Sequence, residues 1–564
     1  MNTKDKAPIA VYAFIIFMVA GLSILAITLE RNISFLSIKL IQSCIIIYLL
    51  ILLKNFFNQH YFLLLSSAVI CLSIGYGLGF GVVDDAYISM RYSKNMAQGI
   101  GLVFNAGERV EGYTSFLWVL LLACLKFIAS DALFIWIVKH IGIVFFFLSC
   151  HKMVTISKTA GGDAQSQSIL IFLMGANFPI VFWAFSGMET LFYLWLLLSA
   201  SHHFCRYLLK NGEGSKNIIK TSFYLVLAYM TRPETVLIIV LHVFIILIFE
   251  KQNLFRLLQF FCLPFCAIYL PYFAWHYWYY NDFLPNTYYA KVGHPATALS
   301  LFGLNYIREG TLSLLAIFII LAAYILRKRI RLPIHHFYFL GIIVMVAFSI
   351  ILTGADHFGE YRYFVYILPF IFLLIAEEIE DGATWIATKM RPLFSNLPLA
   401  KTQIISTLCI FIFLYGFYYN DTGPRTVMFF GRNSAEKWGT LGKLLKKNTK
   451  IDSVIVSPVV GALGYYCDRR VIDMVGLTEP AIARNIIDPG KGPKDHERYN
   501  SEYIMSQNPD YIYLFHAYKS EKEFLASKSW IPAIQDIKRF FPNDSYEYVY
   551  LTYYPYRYAL YKKL

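Results

Sequence analysis

Two adjacent carboxylates, Asp84 and Asp85, follow an apolar run that ends near Val83. Adjacent like charges raise each other's proton affinity, so one of the pair is suited to accept a proton while the other binds a cation or a hydroxyl. The structural alternative is a helix cap, because Asp at a helix N-terminus is stabilised by the helix dipole. The pair is therefore either a general-base candidate or a cap.

Other charged and hydroxyl groups occur in short polar segments at the ends of apolar runs, namely GERVEGYTS, SGMET, TRPE, YYNDFLPNTYYAKVG and GADHFGEYRYF. Arg and Lys in such places can hold a phosphate, which Arg binds bidentately. The alternatives are solvated ion pairs, a helix cap at Glu189 and an interfacial aromatic belt. The candidate substrate- or phosphate-binding residues are Arg91, Arg109, Glu111, Tyr113, Glu189, Arg232, Glu234, Lys291, Asp356, His357 and Arg362.

A metal site is an open alternative in the same segments. His357, Asp356 and the paired aspartates could hold a divalent cation, but their spacing matches no diagnostic ligand pattern. A lone histidine in an outer loop is more often solvated. The sequence therefore predicts no metal ligand and no cofactor, and leaves a divalent ion as the alternative.

The composition indicates a polytopic membrane protein. Of 564 residues, 57% are hydrophobic and only 15% are charged, and the mean hydropathy is +0.52. Apolar runs long enough to cross the bilayer recur along the chain. They predict about 13 transmembrane helices, at 8–29, 33–53, 61–83, 132–149, 166–185, 189–207, 218–232, 233–249, 257–275, 310–326, 336–353, 364–380 and 402–419.

The net charge of +14 is interpreted as a topology signal, not as nucleic-acid binding, because Lys and Arg lie mostly in short loops. These loops share one side only if the run Phe116–Ser130 is a juxtamembrane or half-inserted helix. That side is then the cytoplasm, and the opposite side is the outer side. The outer segments are 84–115, 186–189, 232–234, 275–309, 354–362 and everything after 420.

The region 420–564 is more polar than the rest and is predicted to be an outward-facing α/β domain, after a transmembrane domain at 1–419. Strands are expected at Ser453–Ser457, Tyr511–Phe515 and Tyr546–Tyr553. A further strand near Val471–Met474, preceded by a short helix that starts at Pro458, would complete a βαβ-like unit.

These groups together suit one reaction. A carboxylate takes the proton of an acceptor hydroxyl, the oxygen attacks an anomeric carbon, and a lipid phosphate leaves from the opposite face. Phosphate is a good leaving group, so one base suffices, and a single displacement inverts the anomeric carbon. The expected partners are a lipid-phosphate-linked sugar, an acceptor that carries the hydroxyl group, and membrane lipids.

The stretch DDAYISMRYSKNMAQGIGLVFNAGERVEGYTSFLW, together with SGMET, TRPE, LPNTYYAK, DHFGEYRYF and GALGYYCDRRVIDMVGLTEP, resembles the bacterial glycosyltransferases related to the mycobacterial terminal β-1,2-arabinofuranosyltransferase and the LphB-type proteins. The resemblance implies a GT-C fold, a polyprenyl-phosphate sugar donor and a catalytic aspartate in the first outer loop. By position that residue is Asp84 or Asp85, and we expect Asp84 to be the base and Asp85 to support it. The chain departs from the family in two additional spans and in Ser115-Phe116, where Asn-Pro is expected.

Two other functions fit parts of the pattern. A transporter or flippase of lipid-linked glycans would also need cations and broken helices, although transporters usually carry related halves and no internal repeat is visible here. A non-catalytic scaffold of a cell-envelope assembly is the third. The favoured prediction is an inverting glycosyltransferase that moves a sugar from a polyprenyl-phosphate donor to a cell-envelope glycan or lipid acceptor. It would act at the periplasmic face of a bacterial inner membrane, with the C-terminal domain at 420–564 also in the periplasm.

Overall fold

The computed structural model describes residues 81–175, 177–209, 214–249, 254–292, 296–328, 332–356, 361–390, 433–485, 496–516 and 518–564. The predicted spans at 8–29, 33–53 and 402–419, and nearly all of the one at 61–83, lie outside these residues. The described chain is mostly helical and ends in a small sheet domain. The predicted fold class, a helical membrane protein with a C-terminal α/β domain, is confirmed in these terms.

The helices of the membrane region begin with α1, which carries the two aspartates in its first turn. Their bounds are α1 Asp84–Ala97, α2 Phe116–Ile128, α3 Asp131–Thr159, α4 Ala164–Gly175, α5 Phe178–Phe185, α6 Thr190–Leu208, α7 Ser215–Tyr229, α8 Thr235–Phe249, α9 Leu254–Tyr280, α10 Asn286–Val292, α11 Ala296–Ser313, α12 Leu315–Lys328, α13 Ile334–Thr353 and α14 Phe364–Met390.

Three of the described helices, α3, α9 and α13, are long and apolar enough to cross a membrane, and the bent pairs α4–α5 and α11–α12 raise the number to five. These helices make the chain a multi-pass membrane protein. Helix α2 has only 13 residues, or about 20 Å at 1.5 Å per residue, which is too short to span about 30 Å of hydrocarbon. The interpretation of Phe116–Ser130 as a non-spanning helix agrees with this length.

Two predicted spans, 166–185 and 310–326, coincide with the bent helix pairs α4–α5 and α11–α12 and are not single straight helices. The run 310–326 was expected to form a single helix, but the structure bends by 91° between α11 and α12, at Leu314. At this bend the Ser313 hydroxyl donates to the carbonyl of Gly310, and a Cβ on Gly310 would lie 2.4 Å from the Phe364 ring. The close approach of the ring explains why glycine stands here.

The C-terminal domain contains a five-stranded sheet in the order β2-β1-β3-β5-β4. Strands β1, β2 and β3 are parallel, and β5 pairs antiparallel with β3 and β4. The bounds are α15 Asn433–Asn448, β1 Val454–Ser457, α16 Gly461–Cys467, β2 Arg470–Asp473, α17 Pro480–Ala483, α18 Ser501–Ser506, β3 Tyr511–Tyr513, α19 Glu521–Ala526, α20 Pro532–Ile537, β4 Tyr546–Tyr553 and β5 Tyr556–Lys563.

The predicted βαβ-like unit is present as β1-α16-β2, with Val454 opposite Arg470 in the register. Its helix begins at Gly461 and not at Pro458, and strand β5 was not predicted.

The first outer loop is fastened to this domain by buried hydrogen bonds. The Arg91 guanidinium donates to the carbonyls of Gly464 and Arg469, each at 2.7 Å. The Asn105 side chain pairs with the backbone N–H and carbonyl of Val471, both at 3.0 Å. Buried bonds of this kind fix the loop relative to the sheet.

Candidate active site

A cavity of about 340 Å³ lies where the predicted outer segments meet. Each of the six contributes at least one lining residue: Ser89, Met188, Pro233, Leu284, Ala355 and Leu477 are examples from successive segments. Topology inferred from loop charge therefore grouped segments that are hundreds of residues apart in the chain. The charged residues that line the cavity are Asp85, Glu189, Arg232, Glu234, Lys291, Asp356 and Arg362.

The two aspartates at the start of α1 have different surroundings. Asp85 lines the cavity. The Asp84 carboxylate instead accepts hydrogen bonds from the backbone N–H groups of Gly461, at 3.2 Å, and Ala462, at 2.8 Å, in the first turn of α16. Burial raises the pKa of Asp84 to about 7, against the opposing effect of the Ala462 N–H, while the charge of Asp85 adds to the rise.

Arg232 is the centre of a buried ion-pair network at one wall of the cavity. Its guanidinium donates to Glu189 and Glu234, each at 2.8 Å, and to the Tyr363 hydroxyl at 3.0 Å. Tyr363 in turn donates to Glu234 at 2.8 Å. Because Pro233 lacks an N–H group and separates α7 from α8, the chain breaks here and places these charges beside the cavity.

Arg362 extends this network. Its Nε lies 2.8 Å from Oδ2 of Asp356, and its Nη1 lies 3.9 Å from Oε1 of Glu189. The guanidinium also lies over the Trp183 ring, with its carbon 5.4 Å from the centroid. Both arginines of the cavity are thus paired with carboxylates, which compensates for their burial.

Lys291 differs from the two arginines. It lies near the end of α10 and lines the cavity, and no residue in the described ranges forms an ion pair with it. Asp85 likewise has no cationic partner among those residues. The Asp85 carboxylate and the Lys291 ammonium group therefore both line the cavity, and neither forms an ion pair with the other or with another described residue.

Three predicted binding residues lie away from the cavity lining. Arg91 is buried and bonded to backbone carbonyls, as described above. Arg109 is exposed, with its guanidinium over the Tyr279 ring at 4.8 Å. Glu111 is buried and pairs with Nε2 of His276 at 2.6 Å. Burial raises the pKa of Glu111, although the His276 ring opposes this rise.

Tyr113 lines the cavity, and its hydroxyl lies 2.9 Å from that of Tyr280. His357 lies outside the described residues. Among the residues that the structure describes, no cluster of three or more His, Cys, Asp or Glu side chains could hold a metal ion. The divalent metal stays an untested alternative.

Several lining residues were not singled out from the sequence. Tyr363 forms hydrogen bonds with both Arg232 and Glu234. It belongs to the GADHFGEYRYF segment, which the sequence had already indicated as a candidate part of the site. Leu477 belongs to the C-terminal domain and reaches the cavity through the loop after β2. No local pattern could have found it, because its place depends on how the two regions pack.

Comparisons with known proteins bear on the domain and on the whole chain. A family model described as a domain of unknown function (DUF8728) matches residues 429–561. No curated protein matches the chain. The crystal structure of ArnT from Cupriavidus metallidurans bound to undecaprenyl phosphate is similar at 12% identity, covering 73% of this chain and 87% of that chain, with a TM-score of 0.49.

The apo structure of the same ArnT gives 12% identity, coverage of 72% and 85%, and a TM-score of 0.47. None of these findings names the arabinofuranosyltransferase or LphB-type group, so that resemblance stays a prediction.

Proposed function

We propose that the chain is an inverting glycosyltransferase of the GT-C type that moves a sugar from a polyprenyl-phosphate donor to a hydroxyl of a cell-envelope glycan or lipid. The observation that carries the proposal is that one cavity is lined by both an unpaired carboxylate and an unpaired cation, among the residues that the structure describes. Asp85 is a carboxylate without a cationic partner, and Lys291 is a cation without a carboxylate partner, in the described part of the chain. Base and leaving-group binder are the two groups that such a displacement needs.

In this mechanism the Asp85 carboxylate accepts the proton of the acceptor hydroxyl as its oxygen forms a bond to the anomeric carbon. The bond from the anomeric carbon to the phosphate oxygen breaks at the same time, and the phosphate keeps that electron pair. Lys291 neutralises the charge that develops on the departing phosphate. Attack and departure on opposite faces give inversion.

From the sequence we expected Asp84 to be the base. The geometry supports Asp85 instead. Asp84 already accepts two backbone hydrogen bonds from the C-terminal domain. A base must lie within hydrogen-bond reach of the proton that it removes, and only Asp85 of the pair lines the cavity.

The position of the cavity supports a lipid-linked donor. Apolar residues Val236, Met188 and Leu284 line it beside the charged groups, and Val236 lies in the first turn of the apolar helix α8. A prenyl chain could therefore leave the cavity toward the membrane while the phosphate stays near Lys291. The proposal places the site on the periplasmic face of a bacterial inner membrane, with a transmembrane domain at 1–419 and a periplasmic domain at 420–564.

The test is a transfer assay on the full chain in detergent, with radiolabelled polyprenyl-phosphate pentose and hexose donors and an envelope-glycan extract as the acceptor. We expect wild type and the exposed control variant Asp452→Asn to form a labelled glycoside of inverted configuration, and Asp85→Asn to form almost none. If no glycosidic bond forms in this assay and the chain, reconstituted into vesicles, moves labelled lipid across the bilayer, a flippase would replace the proposal.

A further inference from the structure

Asn286 is the point at which three separate parts of the chain meet. Its side-chain Nδ2 donates to the carbonyls of Gly476, at 2.8 Å, and Leu477, at 2.9 Å, in the C-terminal domain. Its backbone N–H donates to the carbonyl of Glu111 in the first outer loop, also at 2.9 Å. Asn286 is only 4% exposed, so these bonds are shielded from water.

The orientation of the Asn286 amide is fixed by its neighbours. Both acceptors are carbonyl oxygens, and the other side-chain atom, Oδ1, is buried without a hydrogen-bond partner in the described residues. Turning the amide over would bring Oδ1 against two carbonyls and lose both bonds. The side chain therefore acts here as a double donor.

Asn286 is also the first residue of α10, the seven-residue helix that carries Lys291. Thr287, Tyr288 and Lys291 of this helix line the cavity. The contact at Asn286 therefore connects the C-terminal domain to the helix that carries Lys291.

The C-terminal partner of this contact is itself held in place. The Asp473 carboxylate accepts hydrogen bonds from the N–H groups of Val475, at 3.0 Å, and Thr478, at 3.2 Å. Gly476 has φ of +89°, a conformation that favours glycine. Leu477, between these residues, lines the cavity. The loop after β2 thus offers two fixed carbonyls to Asn286 and one apolar side chain to the cavity.

We propose that the C-terminal domain, which matches a family without an assigned function, positions the phosphate-binding Lys291 through Asn286. Asn286 is then a positioning residue: it acts on the donor through α10 and does not touch the reacting atoms. This inference rests on the proposed function, since Lys291 is assigned there to the phosphate. It gives the domain a part in donor binding.

The isosteric variant Asn286→Asp tests the two donated bonds without changing the volume, because a carboxylate faces the same carbonyls without an N–H group. We expect the donor KM to rise about tenfold or more, with the acceptor KM unchanged and kcat lowered less than about threefold. Asn286→Ala, which removes the bonds without adding charge, should shift the donor KM in the same direction.

The matched control is Glu108→Gln. It weakens another contact between the first outer loop and the C-terminal domain, the 2.6 Å pair of Glu108 and Arg470, which does not involve α10. We expect its donor KM to stay within about twofold of wild type. Equal donor KM changes in the Glu108 and Asn286 variants would overturn the inference, since the effect would then come from looser packing of the domain.

A second measurement does not need catalysis. In Lys291→Cys, the rate at which a sulfonate-bearing methanethiosulfonate labels position 291 is followed by peptide mass spectrometry, which separates it from the native cysteines. Adding Asn286→Asp should change that rate at least about fivefold, and adding Glu108→Gln should not. An unchanged rate overturns the positioning role even if transfer is observed. A changed rate in a chain that transfers no sugar keeps this role for Asn286 and rejects the proposed function alone.

Discussion

The Asp84 carboxylate accepts two hydrogen bonds from the first turn of α16, whereas Asp85, the next residue, lines the cavity. Consecutive residues in a helix are about 100° apart around its axis, so one can face a neighbouring domain while the other faces a ligand site. The adjacent carboxylates thereby receive different tasks. The Asp84 carboxylate bonds to the C-terminal domain, and Asp85 lines the cavity in which we propose that it acts as the base.

The pKa of Asp84 predicts how stability depends on pH. It is raised from 3.8 to about 7, so the folded chain holds a proton that the unfolded chain releases between these values. The stabilisation is complete below the unfolded pKa and is lost as the pH rises through about 7. We therefore expect the contribution of Asp84 to the unfolding temperature to increase as the pH falls from about 8 to about 5.5.

Asp84→Asn should make that dependence weaker, because the amide does not titrate. Asp473 and Glu479, whose pKa values burial raises to about 6 and about 8, remain in the variant and shift stability in the same direction. The difference between wild type and variant therefore isolates Asp84. Parallel pH curves for the two proteins would show that Asp84 does not titrate in this range.

Gly461 should tolerate no side chain. A Cβ there would lie 2.0 Å from the carbonyl oxygen of Asp84, so Gly461→Ala must separate α16 from α1. We expect a loss of about 1 to 3 kcal/mol in stability, seen as a lower unfolding temperature and faster proteolysis of the C-terminal domain. Gly382→Ala is the control, since nothing lies within 4 Å of its Cβ. Equal behaviour of the two variants would contradict the packing described for α1 and α16.

Arg232 and Glu189 should be strongly coupled. Removing the arginine leaves buried carboxylates without their cation, a change that typically costs about 3 to 5 kcal/mol. Arg232→Gln combined with Glu189→Gln should lose less stability than the sum of the single variants, because the double variant leaves fewer uncompensated charges. Additive losses in unfolding experiments would mean that the 2.8 Å pair contributes nothing specific.

Lys291 should act on donor binding through its charge. We expect Lys291→Gln to raise the donor KM by about tenfold to about 100-fold, the worth of a hydrogen bond to a charged group, and Lys291→Arg to restore most of it. Arg109→Gln, which removes an exposed cation outside the cavity, serves as the control in the same kinetic assay. A donor KM that is insensitive to the charge at 291 would assign the phosphate to another residue.

The sequence could predict that the outer segments lie together. Each spanning run carries the chain across the membrane, so alternate loops share a side, and the charge of the loops indicates which side that is. The same reasoning proposed Arg232 and Arg362 as phosphate ligands. It did not show that each is paired with a carboxylate, since Glu189 and Asp356 approach them only through the fold. Pairing of distant charges is a tertiary property.

The difference in surroundings between Asp84 and Asp85 likewise could not be predicted from the sequence. It depends on Gly461 and Ala462, more than 370 residues away in the chain. Strand β5 was missed because Tyr556–Lys563 mixes aromatic residues with Arg and Lys and lacks a clear alternation of apolar and polar positions. Its pairing with β3 and β4 supplies the context that the local pattern lacks.

The most direct test of the account compares kcat for Asp85→Asn and Asp84→Asn in the same transfer assay, at saturating donor and acceptor. Loss of a general base should lower kcat of Asp85→Asn by about 10² to 10⁴-fold, whereas Asp84→Asn should stay within about tenfold of wild type. Full turnover by Asp85→Asn, or a larger loss in Asp84→Asn, would contradict the assignment of Asp85 as the base.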